Sequence, residues 1–183
     1  MTHRTKSKVS GKGRVYFITS GGNILFGDPV CSRYRISENS ETINHEVEIV
    51  DDGLRRSFDI FETNAFASAD EAIAGQINRA YAEHAIPPVA FTPTCDGVIS
   101  GTPHHSLGSR VYYLLDNKCV FSFITSVIII RDHVNEETRI AYALKSKGQQ
   151  FINEEDVYIS VEQAMDAWSQ QQLDKLGGRN VRH

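Results

Sequence analysis

Apolar and polar positions alternate along two stretches of this chain, and each time the alternation gives way to helical spacing. In the first stretch Arg14 to Thr19 opens a strand, Ser20 to Asn23 makes a turn, and Ile24 to Phe26 begins the return. Cys31 to Ile36 reads as a third strand, ending in the polar loop Ser37 to Thr42. Glu46 to Val50 alternates acidic and apolar residues, turns at Asp51, Asp52 and Gly53, and returns through Ser57 to Glu62. The spacing then predicts a helix from Ala69 to Glu83, with Ile73, Ile77, Ala80, Tyr81 and His84 on one stripe.

The pattern restarts further on. Arg110 to Leu115 matches Arg14 to Thr19, a turn at Asp116 to Lys118 replaces the first one, and Cys119 to Phe121 matches Ile24 to Phe26. A β-rich run reaches Arg131, a polar loop spans Asp132 to Glu137, and Arg139 to Leu144 reads as a strand. Lys147 and Gly148 turn it, Gln150 to Ile152 return, and Asp156 to Ile159 lead into a second helix. That helix carries Val161, Ala164, Met165, Trp168, Gln172 and Leu176 near helical spacing and stops at Gly177 and Gly178. The separation between matching residues only falls along the chain: 96 for Arg14 and Arg110, 95 for Phe26 and Phe121, 93 for Phe58 and Phe151, 92 for Ser68 and Ser160. Each fall lies at a turn or loop, as shortened loops in a second copy would produce. Between Phe26 and Gly53 the residues fix no unique alignment.

The two copies agree best where strand becomes helix. Phe66 and Tyr158 each stand two residues before a serine, Ser68 or Ser160, with Glu71 or Gln163 three residues beyond it. That is a capping box: the hydroxyl accepts from the third helical amide, and the carboxylate or carboxamide reaches back to the cap amide.

The expected organisation is a disordered basic tail (1–13), a module (14–84), a Pro/Gly-rich linker (85–109), a second module (110–176) and a flexible tail (177–183). Each module has about five short strands and one helix, and so small an antiparallel sheet curls or closes to hide its edges. The fold class is therefore α+β: two tandem small antiparallel β-barrels, each followed by one α-helix. These modules resemble SH3-like and Tudor-like barrels. The aromatic-x-Ser-x-x-Glu/Gln-Ala ending also resembles small proteins of phages and plasmids. The resemblance implies a binding module and brings no catalytic residues.

Composition narrows the classes. Hydrophobic residues are 40% and charged residues 23% of the 183, the balance of a folded water-soluble domain. No apolar run approaches the roughly 20 residues of a membrane span; Val120 to Ile130 is interrupted by Ser122, Thr125 and Ser126. The basic N-terminus has no apolar stretch behind it, so it does not read as a secretory signal. Cys31, Cys95 and Cys119 are odd in number and far apart, which favours a reducing cytoplasm over a disulfide framework. Net charge is −4, unevenly distributed: Arg4, Lys6, Lys8, Lys12 and Arg14 stand without an acid, and Arg179 and Arg182 lie near the end. Removing those seven from 19 basic residues leaves 12 against 23 acids, so the body carries −11. Such a body repels a phosphate backbone unless its cations share one face.

Catalytic signals are sparse. Cys95, His104, His105 and Ser106 form the one cluster that suggests a metal or a nucleophile, and their spacing matches no usual ligand set. Asp96 and Asp116 are available acids, with no nucleophile-elbow motif nearby. The glycines of Ser10 to Gly13 and Ser20 to Asn23 precede no helix and make no phosphate loop. Asp51 with Asp52, and Glu154 to Asp156, sit at turns and read as solvated; Trp168, Phe123 and Phe151 read as core.

Binding surfaces remain. Barrels of this type bind through aromatics near one end, and Tyr16, Tyr34 and Tyr112 are the candidates, with Arg33, Arg35, Arg55 and Arg56 as a basic face in copy one. Those arginines either join the basic tail in a nucleic-acid surface or pair with Glu46, Glu48 and Asp59 on neighbouring strands. The expected function is a non-enzymatic interaction protein with a protein partner, no cofactor and no membrane. The alternative is nucleic-acid binding through the tail and these arginines, or an acidic mimic of nucleic acid. A third is a small enzyme or ligand sequesterer built on the Cys95–His105 loop.

Overall fold

The computed structural model describes residues 1–146 and 151–177. The expected turn at Lys147 and Gly148, the return at Gln150, the stop at Gly178 and the tail 178–183 lie outside the described residues. The chain is α+β and mostly antiparallel sheet. Its elements are β1 (His3–Ser7), β2 (Val15–Ile18), β3 (Ile24–Ser37), β4 (Ser40–Asp51), β5 (Leu54–Phe61), β6 (Ala65–Phe66), α1 (Ala69–Glu83), β7 (Gly97–Gly101), β8 (Arg110–Leu115), β9 (Lys118–Asp132), β10 (Thr138–Leu144), β11 (Phe151–Asn153) and α2 (Val161–Gly177). Single 3-10 turns, Glu62–Asn64 and Glu154–Asp156, follow β5 and β11.

The same order of elements runs twice: a short strand, a hairpin, two further strands, a 3-10 turn, one more short pairing, and a helix. The registers correspond. Tyr16 faces Phe26 across β2–β3 and Phe66 across β2–β6, while Tyr112 faces Phe121 across β8–β9 and bridges to Tyr158. His45 lies opposite Ile60 on β4–β5, and Tyr142 lies opposite Ile152 on β10–β11.

Compact packing divides the chain differently from the repeats. One unit holds Met1–Thr102 and Ile128–Arg139, and the other holds Pro103–Val127 and Ile140–His183. In the first unit β3 pairs with β2 and β4, β4 with β5, and β2 with β6, a ladder that curls toward a half-barrel. Phe17, Val47, Ile60 and Ala65 form its centre, flanked by Ile18, Phe66 and Ala72 on one side and Tyr34, Ile36, Ile99 and Ile129 on another. In the second unit Val111, Tyr113, Ile124, Val127, Tyr142, Leu144 and Val157 make the core.

Three expectations change. The strands foreseen at Ile24 to Phe26 and Cys31 to Ile36 are one 14-residue strand, because the β3–β4 ladder accommodates Pro29 beside a bulge at Val30, where the register shifts between Pro29 and Cys31. Residues 3–7, expected to lack structure, form β1, and residues 97–101 of the expected linker form β7; the two pair antiparallel, Thr5 opposite Ile99. Arg4 and Lys6 alternate outward while Ser7 turns in, so a strand with a polar outer face passed for a solvated tail. The helix faces also differ. Ile73 and Ile77 are exposed, and α1 instead packs through Ala72 and Gly75, where a Cβ built on Gly75 would meet the Phe66 ring at 2.5 Å. Small residues let the helix backbone approach the sheet, which a count of large apolar residues does not register.

Both caps form. Ser68 Oγ accepts from the Glu71 amide and Ser160 Oγ from the Gln163 amide, each at 3.2 Å. Glu71 and Gln163 reach back to the amides of Ala67 and Ile159, each at 3.3 Å, one residue earlier than the cap itself.

Candidate functional site

The copy-one arginines do not build a free basic face. Arg33 on β3 donates to Glu46 at 2.6 Å and to Asp59 at 3.0 Å, and Arg55 on β5 lies 3.6 Å from Glu48. These are cross-strand ion pairs, the outcome that alternating charge on β4 favours. Arg35 is exposed on β3, and Arg55 and Arg56 are neighbours on β5, which strand geometry sends to opposite faces. Tyr34 is withdrawn as well: it is buried, and its hydroxyl donates to Glu41 at 2.6 Å. Burial and that carboxylate push its hydroxyl up to about 12.

Tyr16 and Tyr112 stand where the two units do look alike. In the first unit the Arg14 guanidinium lies 4.8 Å from the Phe26 ring centre, and Tyr16 packs against the same ring at 5.6 Å. In the second, the Arg110 guanidinium lies 4.2 Å from Phe121 and 5.3 Å from Tyr112, with Tyr112 and Phe121 at 6.5 Å. Phe123 extends this second cluster, edge-on to Phe121 at 6.4 Å. Alternation along the hairpin sets both: the ladder places Tyr16 against Phe26, Tyr112 against Phe121 and Arg110 against Phe123; in the first unit the same face carries the buried Ile18 and Phe66, and Tyr16 packs against them. Phe26 is 48% exposed and Phe121 52%. Phe123 and Phe151, read from sequence as core, are exposed too: β9 turns Ser122 and Ile124 inward and Phe123 outward, and on β11 Phe151 lies on the face opposite the half-buried Ile152.

Sequence reasoning missed a buried polar chain in the first unit. Ser32 Oγ lies 2.7 Å from His45 Nδ1 and 2.7 Å from His133 Nε2, and His45 Nε2 bonds the Glu62 carboxylate. Glu62 also accepts the Lys8 amide at 2.6 Å and the Ser7 hydroxyl at 3.2 Å, while Ser7 Oγ accepts the Val9 amide at 3.0 Å. Burial pushes the Glu62 carboxyl up, but the bonds from His45, the Lys8 amide and Ser7 outweigh it and hold it below the ordinary range. Ser32, His45 and Glu62 thus line up in the order nucleophile, base, acid. Ser32, His45 and Ser7 are fully buried, so no substrate carbonyl reaches the hydroxyl, and the arrangement is a structural hydrogen-bond chain.

The second unit carries the counterpart. Glu154 accepts the Tyr142 hydroxyl and, at 2.7 Å, the His104 amide, as Glu62 accepts His45 and the Lys8 amide. A usable signal lay in the chain: each glutamate stands six residues before its capping serine, so the repeated motif is longer than the aromatic–serine ending alone.

Cys95 and the His104–His105 pair have separate settings. Cys95 is an exposed free thiol of the first unit. In the second, His104 Nδ1 is 3.2 Å from Glu154, and the His105 amide donates to the Tyr142 hydroxyl at 3.1 Å. Among the described residues no group of three or more His, Cys, Asp or Glu converges as a metal site would require. No helix among them is long and apolar enough to cross a membrane.

No protein family, no curated protein and no solved structure matches this chain.

Proposed function

We propose that this chain is a non-enzymatic interaction protein whose two tandem SH3-like, Tudor-like modules bind a protein partner through their arginine–aromatic clusters. One observation carries the reading: an arginine over an exposed phenylalanine, beside a tyrosine, at register-equivalent positions of both units. A lone exposed phenylalanine is ordinary, but the same arginine–tyrosine–phenylalanine cluster kept twice, each time around a half-exposed phenylalanine, has the composition of a binding hot spot. The stacked guanidinium keeps its edge donors free of the ring, so a segment that sets a carboxylate beside an apolar side chain complements the cluster.

The test is selection from a displayed random-peptide library against the full chain, followed by titration of the enriched peptides. Phe121→Ser and Phe26→Ser each weaken binding roughly 30-fold, the loss of a hot spot of about 2 kcal/mol. No enrichment, or peptides that bind both variants as tightly as the parent, overturns the proposal.

A nucleic-acid reading has one specific support. Lys8, Lys12 and Arg14 line a cleft of about 210 Å³ with Thr94 and Asp96, and Arg4 and Lys6 face outward on β1. Oligonucleotide affinity that falls steeply with salt selects it.

A further inference from the structure

We infer that the Ser32–His133 contact is a proton-operated latch, which holds residues 128–139 on β3 near neutral pH and lets them go in mild acid. Counting hydrogens shows which atom donates in each bond of the closed latch. The ionised Glu62 only accepts, so His45 Nε2 must carry a proton. With His45 neutral, its bare Nδ1 accepts the Ser32 O–H, and Ser32 in turn accepts from His133 Nε2–H. Each hydrogen between Ser32 and its two histidines then has an acceptor, and the latch is closed.

One added proton is accommodated. It enters at His133 Nδ1; His133 passes its Nε2 proton to Ser32, and Ser32 passes its own to His45 Nδ1. His133 ends neutral with hydrogen on Nδ1, and His45 ends as imidazolium against the Glu62 carboxylate. A second proton is not. Both imidazoles then donate to Ser32, the hydroxyl hydrogen has no acceptor in a fully buried site, and two like charges flank one oxygen.

His133 is the weak member. It is half-buried, its amide donates to the Val30 carbonyl at 2.9 Å, and it lies close enough to Gly11 that a Cβ added there would collide with Nδ1. The charges around it do not rescue its cation. His45 on β4 and Arg131 on its own strand oppose it, and only Asp132 favours it; Asp132 is also engaged by Asn135 and Arg139. Glu62 is committed to His45, Lys8 and Lys12 beyond the Gly11 turn are cationic, and Arg33 faces Glu46 and Asp59 instead. Burial first, then His45 and Arg131, hold the His133 imidazole below its ordinary value. The folded unit therefore resists a proton that the unfolded chain takes up near pH 6.5, so stability present above that pH is lost as pH falls through it.

The second unit is a built-in control. Tyr142 holds the position of His45 against its own glutamate, and a phenol does not take up a proton in this range.

The experiment is hydrogen exchange on the full chain at pH 7.5 and 5.0, corrected for intrinsic rates, read at the amide of residue 133. The lone tryptophan, Trp168 in α2, reports the second unit by fluorescence. Protection at residue 133 falls at pH 5.0, toward the limit of about thirtyfold that protonation of a free imidazole at the ordinary value allows, because the closed latch binds the proton more weakly than the open one. Trp168 emission stays unchanged. His133→Gln supplies a non-titrating N–H to Ser32 and stays protected at both pH values. Protection in the parent that does not change with pH, or an equal loss in His133→Gln, overturns the latch. If His133→Gln is unprotected even at pH 7.5, Ser32→Ala decides. Low, pH-independent protection in Ser32→Ala supports the latch, and parental protection with a parental pH response overturns it.

Discussion

Tyr142→Phe removes one oxygen from the core of the second unit and leaves the ring in place. The hydroxyl donates to Glu154 Oε1 and accepts the His105 amide at 3.1 Å, so two bonds are lost. The ring is fully buried and its volume is kept, so no cavity term arises. A hydrogen bond to a charged acceptor contributes about 1.5–3 kcal/mol. Glu154 keeps the His104 amide and side chain, which softens the loss, and the half-buried His105 amide adds a smaller cost. The sum is about 2 kcal/mol of destabilisation by those rules. Urea unfolding followed by Trp168 fluorescence reads this unit, and at a slope near 2 kcal/mol/M the midpoint falls by about 1 M. Glu154→Gln in the same background gives less than additive loss, because the two groups share one bond. A midpoint that moves by under about 0.2 M, or full additivity, would refute the claim that this glutamate pins the strand to the 3-10 turn.

Two further outcomes follow from the helices. Gly75→Ala improves helix propensity by about 1 kcal/mol but drives a Cβ into the buried Phe66 ring at 2.5 Å, where overpacking costs about 1–3 kcal/mol; melting is expected to drop, and a rise would show that the ring yields freely. Ser68→Ala and Ser160→Ala each cost about 0.5–2 kcal/mol, read as a lower unfolding midpoint in urea; unchanged midpoints in both would mean that water replaces the hydroxyl without loss.

What could be read in the chain was local or repeated. The hairpin turns show in composition: Asp52 with Gly53, and Asp116 with Asn117, take positive φ in two-residue turns that suit those side chains. The match of Arg14 and Phe26 to Arg110 and Phe121 identified residues that the fold does bring together in each unit. What could not be read joins distant positions. β1 finds its partner ninety or more residues away, and nothing in His3 to Ser7 names β7. The His45–Glu62 and Ser32–His133 bonds span 17 and 101 residues, and a buried histidine on an alternating strand looks like any other polar position. Register on β4 also defeated the alignment: Tyr142 replaces His45, a substitution that shares a hydrogen-bonding role and no obvious similarity.

The placement of residues 128–139 limits how this chain can be taken apart. They lie between stretches of the second unit along the chain, yet they pack with the first and bring His133 to Ser32. A single cut anywhere from 103 to 127 therefore separates the first unit from a strand end and a histidine that complete it. The fragment 1–102 would expose the Tyr34–Ile36–Ile99 cluster that Ile129 covers. Gene fragments that each encode one repeat would not yield one working unit apiece. Moving this fold between proteins would have to carry both repeats together, so the pair, rather than one repeat, is the portable piece.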